Sequence, residues 1–306
     1  VGSEMCIRDS LNMVEMTYGN RPLGLQYKAI VQIIRNKFLY EPKYIFNTQT
    51  NMGKYELTSE CRELGGQKLY RIIAVRSFSN IKEGDKGGFV RSEENLSHDG
   101  DAWVMGNACV LDNALVEGNA RIFGCAMVSD NAIIWENARV FGKAEVCEYA
   151  HVSGNAIVRG EASVSGHAKI RDRANVFQHA EIGDNAKVVD DAYVFGYAKV
   201  NGLAEISGHA RVHGEAEVYG NAIVGFLADV FGDAKLSHDA RIGAMGDYVT
   251  LNGFDVNGNC IIAFRDSNIG VRIKWGCFNG SVDEFLNMVE MTYLSLIHIS
   301  EPTRLG

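Results

Sequence analysis

Proton transfer is the chemistry this chain could most readily perform, because six histidines fall within one regular stretch: His151, His167, His179, His209, His213 and His238. A general base must reach a hydroxyl or amine proton and must itself be held by a partner. The six are scattered, with His167, His179 and His209 at three different corners of the repeat described below. His213 is the candidate catalytic residue. It interrupts a run of phenylalanines spaced in multiples of 18 (Phe123, Phe141, Phe177, Phe195 and Phe231), and His179 lies on the adjoining corner two coils away. A surface histidine without a role is the competing reading.

Carboxylates offer a second chemistry. Asp112, Asp130, Glu148 and Asp184 also recur at multiples of 18, beside Asn113, Asn131 and Asn185. Stacked carboxylates can collect a hard cation such as Ca²⁺. Asp and Asn are also good turn residues, and that reading is preferred, so no metal site is assigned. Cys61, Cys109, Cys125, Cys147, Cys260 and Cys277 form no C-x-x-C pair. They read as reduced thiols of a cytoplasmic protein, with Cys277 a buried structural thiol rather than a nucleophile.

These residues are positioned by a six-residue register. From Ala102 to Ala240 every sixth residue is alanine, 24 in all, and two residues after each stands Val, Ile or Leu. In extended chain, residues two apart share a face, so each pair points inward and its neighbours outward. The remaining two positions turn the chain. Gly fills the first in 13 of 23 repeats and Asn is commonest at the second; both tolerate the left-handed backbone that a tight corner needs. Three edges close a triangle. The register predicts an all-β protein: a single-stranded parallel β-helix of about eight 18-residue coils, with a small N-terminal β cap and a C-terminal β/helical module. No Pro occurs between Pro42 and Pro302, as strands that must all donate to neighbours require.

Stacking every 18th residue turns each face into a column. The column Met105, Phe123, Phe141, Arg159, Phe177, Phe195, His213, Phe231 is apolar, whereas its counterparts on the other two faces are largely not. Trp103, Ile157 and Tyr193 are expected to widen this stripe. A long apolar stripe calls for a cover. The chain's own C-terminal helices and a neighbouring subunit are equally open as that cover.

The repeating Ala-x-Val-x-Gly-Asn unit over residues 101–243 resembles the bacterial transferase hexapeptide repeat, the LpxA-like superfamily. The resemblance implies a left-handed helix and a trimer. Its members include acyltransferases and γ-class carbonic anhydrases, though the metal set of the latter is not visible here. Outside the repeats, Lys54-Tyr55-Glu56-Leu57, Leu69-Tyr70-Arg71-Ile72, Gly87-Gly88-Phe89-Val90 and Glu94-Asn95-Leu96-Ser97 are similar to the opening of the uncharacterised YdcK-like transferases of bacteria and phages. Acyltransferases of this superfamily use a histidine base near a subunit boundary, often with a loop extruded from a corner. This register never slips, so no such loop is expected.

The ends are of another kind. LNMVEMTY occurs at residues 11–18 and again at 286–293. Residues 1–51 read as adapter-derived sequence followed by a displaced C-terminal tail, and 294–306 as adapter again. Between them lie a cap (52–100), the β-helix (101–243) and a C-terminal module (244–293). In the cap, Glu63–Gln67 reads as a hairpin turn before a strand Lys68–Phe78, and Gly84–Gly88 as a second turn. Asp255–Asn259, the strand Val271–Trp275 and a helix opened by the capping box Ser281-Val282-Asp283-Glu284 belong to the module. Leu25–Phe38 reads as a second amphipathic helix.

A net charge of −8 argues against nucleic acid as a partner, and no stretch is apolar enough to span a membrane. The expected role is a structural or binding scaffold, a homo-oligomer packing through Phe123, Phe141, Phe177, Phe195 and Phe231, without an evident catalytic site or cofactor. The alternative is an acyl-CoA-dependent O- or N-acyltransferase with His213 as base, in which case acyl-CoA is the cofactor.

Overall fold

The computed structural model describes residues 53–251 and 261–297. The chain divides into Val1–Met52 and Gly53–Gly306, and everything described belongs to the second unit. The repeated octet's first copy, the helix expected at Leu25–Phe38, Asp255–Asn259 and the last residues from 298 lie outside the described residues.

The six-residue register becomes 24 two-residue strands, β4 (Trp103–Val104) to β27 (Arg241–Ile242), following three cap strands. They stack in parallel into three sheets, each taking every third strand, so the solenoid has eight 18-residue coils. The β-helix is left-handed. All 24 alanines and their aliphatic partners are buried, most of them completely. Small Ala sits next to each corner, where space is least, and the branched residue fills the middle of the edge. Each such aliphatic contributes roughly 1.5–3 kcal/mol of burial.

The corners follow a rule the sequence only half shows. All 23 first-corner residues, Gly106 to His238, have positive φ between 51° and 79°. Thirteen are Gly, for which this conformation carries no Cβ penalty. Asn at the second position is not left-handed, contrary to expectation. Where the next coil also carries Asn the amides can instead bond each other, as Asn119 Nδ2 does to Asn137 Oδ1 at 3.1 Å and Asn113 Nδ2 to Asn131 Oδ1 at 3.4 Å.

Three strands precede the solenoid: β1 (Tyr55–Leu64), β2 (Gln67–Ala74) and β3 (Lys86–Val90). Gly65 and Gly66 make the hairpin between the first two, both at positive φ. The strand expected over Lys68–Phe78 ends at Ala74, because Phe78 turns back to bridge Ile81. Gly87 and Gly88 are not turn residues but lie inside β3. A Cβ on Gly88 would stand 2.6 Å from Val104 Cγ1 and 2.7 Å from Ala108 O, so only glycine lets β3 lie on the first coil. Asn95 stitches the cap down: its Oδ1 accepts the amides of Arg91 and Ser92, and its Nδ2 donates to Asp112 O and Ala114 O. Tyr55, Phe78 and Trp103 close this end of the core, with Tyr55 OH donating to Leu96 O at 2.7 Å.

The other end is closed by an antiparallel sheet of β28 (Tyr248–Leu251), β29 (Ile261–Asp266), β30 (Gly270–Trp275) and β31 (Phe278–Ser281), whose Ile262 and Phe264 join the solenoid core. The helix α1 (Val282–Ile297) follows, opened by the expected capping box, with Glu284 N donating to Ser281 Oγ at 3.3 Å and Ser281 N to Glu284 Oε2 at 2.7 Å. It continues past Tyr293, where the sequence suggested a stop. Phe285 seats it against Trp275 and Phe278.

Candidate functional site

The column of phenylalanines is an aromatic ladder on one solenoid face. Each residue sits just past the aliphatic of its strand, so parallel strand stacking sets successive rings one above another. Phe123 and Phe141 stack with centroids 4.5 Å apart and planes 7° apart, and Phe177 and Phe195 at 4.9 Å and 6°. These spacings match the distance between hydrogen-bonded strands. Arg159 stands at the head of the second run of rings: its guanidinium lies 4.3 Å from the centre of the Phe177 ring, a cation–π contact. Phe123, Phe141, Phe177 and Phe195 are therefore half-buried by their own neighbours, and only Phe231, at 45 %, is well exposed.

Trp103 does not widen the stripe. It is buried in the cap between Tyr55 and Phe78, which the register could not show because the cap lies outside it. Nor does α1 run along the ladder, since it packs on β30 and β31. Tyr248 meets the far end, edge-on to Phe231 at 6.5 Å.

His213 continues the stack, 4.6 Å from Phe195 and 5.7 Å from Phe231. Its Nε2 lies 3.0 Å from Asp229 Oδ1. That is the orienting partner a general base requires, and the sequence reading missed it. Asp229 lies 16 residues ahead, diagonal to His213 across two coils, so reading columns one at a time cannot pair them. Tyr248 OH donates to Asp229 O at 3.0 Å and fixes this end of the ladder.

The other histidines are brought to separate places. His179 stacks on Tyr197 at 4.7 Å, with Nδ1 3.4 Å from Glu161, which also takes Lys143 at 2.8 Å. It borders a groove of about 460 Å³ floored by Ser163, Ser165 and Gly183 on the neighbouring face, and does not join His213. His167 stacks on Tyr149, and His209 stands 3.8 Å from Asp191. His151 is half-buried, and burial first, then Lys169 and His167, pushes its pKa down.

The corner carboxylates serve the backbone. Asp112 accepts the amide of Asp130, Asp130 that of Glu148, Glu148 that of Gly166 and Asp184 that of Gly202, at 2.7–3.2 Å. Among the described residues no three His, Cys, Asp or Glu side chains are grouped to hold a metal ion. Cys277 is exposed rather than buried, because it forms the tight turn between β30 and β31.

One further cluster has no sequence signature. Lys274 of β30 donates to Tyr219 OH at 2.6 Å and to Ser237 Oγ at 3.2 Å, and Ser237 Oγ lies 2.7 Å from His238 Nδ1. Burial would raise the Tyr219 phenol, but its bonds to Lys274 and Ser237 outweigh this and hold it below its ordinary value. Ser237 is fully buried, so the cluster works as a clasp for the C-terminal sheet and not as an accessible nucleophile. No helix among the described residues is long and apolar enough to cross a membrane. Compared with protein-family models and with curated proteins, the chain matches none.

Proposed function

We propose that this chain is a scaffold protein whose aromatic ladder packs against further copies of itself, in the trimeric manner that the hexapeptide-repeat resemblance implies. The β-solenoid supplies a rigid frame, since every coil is bonded to the next and its centre is apolar. The ladder carries the reading: parallel rings stacked at strand spacing present a regular row of ring edges, which another copy can cover at little cost in side-chain entropy. Interfaces between permanent partners resemble a core cut open, and aromatic residues with arginine are their usual anchors. The double substitution Phe141→Glu with Phe195→Glu should reduce the mass in solution to that of a monomer. An unchanged mass together with an unchanged melting temperature refutes the reading.

A second reading rests on the His213–Asp229 pair. Asp229 on Nε2 leaves Nδ1 to take the proton from an acceptor hydroxyl or amine as that group attacks an acyl thioester, and the departing thiolate is then protonated. Acyl-CoA would be the donor. Incubation with acetyl-CoA and pooled amines and sugars tests this. Transfer that falls at least a hundredfold in His213→Ala, and clearly in Asp229→Asn, supports it. No transfer by the unaltered chain removes it and leaves the scaffold reading standing.

A further inference from the structure

Four of the five lysines between Ala102 and Ile242 meet a glutamate in a neighbouring coil: Lys143, Lys187, Lys199 and Lys235, at 2.8–3.6 Å. The fifth, Lys169, has no carboxylate partner among the described residues. It stands in register between His151 of the coil before and Lys187 of the coil after. Strands in register lie about 4.8 Å apart, and like charges opposite one another at that spacing are destabilising. Arg171, two residues along the same edge, is exposed and also lacks a carboxylate partner among the described residues. The other step of like cations in the solenoid, Arg121 to Arg139, is offset by the nearby Asp101.

An uncommitted hydroxyl lies in the same place. Ser153 stands between Trp135 and Arg171 in its column, at a position that faces away from the core. It is nevertheless only 3 % exposed, and its hydroxyl has no hydrogen-bond partner among the described residues. Carboxylates at the flanking corners are held by backbone amides: Glu136, Asp172 and Asp190 on one side, Glu148 and Asp184 on the other. We infer that His151, Ser153, Lys169, Arg171 and Lys187 form a site for the phosphate group of a small phosphate monoester. Such a group carries nearly two negative charges at neutral pH and three acceptor oxygens. Lys169 and Arg171 supply the charge and a forked donor, with the Ser153 hydroxyl between the His151 and Arg171 side chains as a further donor. A carboxylate, with one charge and two oxygens, would leave a cation unmatched. The site lies on a different sheet from the ladder and uses neither its rings nor His213, so it stands independently of both readings above.

Titration of the full chain with phenyl phosphate tests it, followed by the His151 ring resonances and by the melting temperature. Burial, Lys169 and His167 hold the His151 pKa down in the free chain, and a bound dianion should raise it by about 1. At about a hundred times its Kd, phenyl phosphate should raise the melting temperature by about 5–10 °C. Chloride or acetate at the same ionic strength should do neither. Lys169→Gln and Arg171→Gln should each weaken binding about tenfold or more. Without ligand, Lys169→Gln should melt at least as high as the unaltered chain, because it removes the like-charge step. Four results would overturn the inference: no saturable response, an equal response to acetate, binding unchanged in both variants, or a lower ligand-free melting temperature for Lys169→Gln. Tighter binding of single-stranded DNA than of phenyl phosphate would also overturn it, putting a polyanion in place of a small ester.

Discussion

Asp130 allows the corner rule to be tested by a reversal of sign. Its φ is 57°, its Oδ2 accepts the Glu148 amide at 3.0 Å, and its own amide donates to Asp112. Asp130→Ala deletes the bond to Glu148, about 0.5–1.5 kcal/mol, and leaves an L-residue in a conformation that costs roughly 1–2 kcal/mol. Asp130→Gly deletes the same bond but removes the conformational penalty, while glycine's extra freedom when unfolded costs about 0.5–1 kcal/mol. Asp130 already stands in that conformation, so alanine should destabilise by the lost bond, about 0.5–1.5 kcal/mol, with glycine close to neutral. In most positions alanine is the more stable of the two, so the order is inverted here. For a unit of this size 1 kcal/mol moves the melting temperature by about 2–4 °C, which places the alanine variant about 1–6 °C lower. Circular-dichroism melts at neutral pH read this directly, and hydrogen exchange should show the Glu148 amide losing protection in both variants. An alanine variant at least as stable as the glycine variant would refute the strain argument. A Glu148 amide that stays protected would refute the hydrogen-bond argument.

Three further outcomes follow from the same contacts. Burial alone would raise the Asp266 carboxyl, but the Arg272 guanidinium at 2.6 Å and the amides of Asn268 and Ile269 outweigh it and hold the pKa below its ordinary value. A depressed acid stabilises above its unfolded pKa of about 3.9 and loses that contribution as pH falls through the folded value, so the C-terminal sheet should loosen below about pH 4. Asp266→Asn should flatten this acid-side slope in pH-dependent melts. Burial pushes Lys54 down to about 8, with its Nζ donating to Gly100 O at 3.2 Å. The unfolded chain then binds more protons between pH 8 and about 10.4, so stability should rise over that window, and Lys54→Met should abolish the rise. In the core, Ile170→Ala should cost about 2–5 kcal/mol in denaturant titrations, and Ala180→Leu about 1–3 kcal/mol by overpacking beside a corner; neutrality of both would mean the centre is not close-packed.

The solenoid was legible because its information is local and periodic. Ala102 to Ile242 announces which side chains point inward, and nothing distant can override a register that every coil repeats. The ladder was legible for the same reason, since residues 18 apart must meet once the triangle closes. What failed did so where that period stops or where two columns must be crossed. Trp103 obeys the register yet is buried by Tyr55 and Phe78, which belong to an aperiodic cap. Gly87 and Gly88 read as a turn because glycine pairs often are one, whereas here they answer a steric demand from Val104 and Ala108. Cys277 looked like an interior thiol until the pairing of Trp275 with Phe278 placed it at a hairpin tip.

The same distinction separates shape from chemistry in this molecule. A column lists what stacks along the axis, whereas a site needs neighbours across it. His213 meets Asp229 on a diagonal, and Lys274 meets Tyr219 and Ser237 through a strand with no fixed offset to the repeat. The second pairing depends on how the last coil hands the chain to the C-terminal sheet, and Tyr248 of that sheet holds the Asp229 carbonyl beside the first. Residues of unrelated register meet where the repeat ends, as Lys274 does with Tyr219 and Ser237, whereas His213 and Asp229 meet inside it. The left-handed corner at Phe226 fits this pattern. It stands one coil before Ala244, whose amide, like that of Gly243, is accepted by Asp247 of the segment that leaves the solenoid.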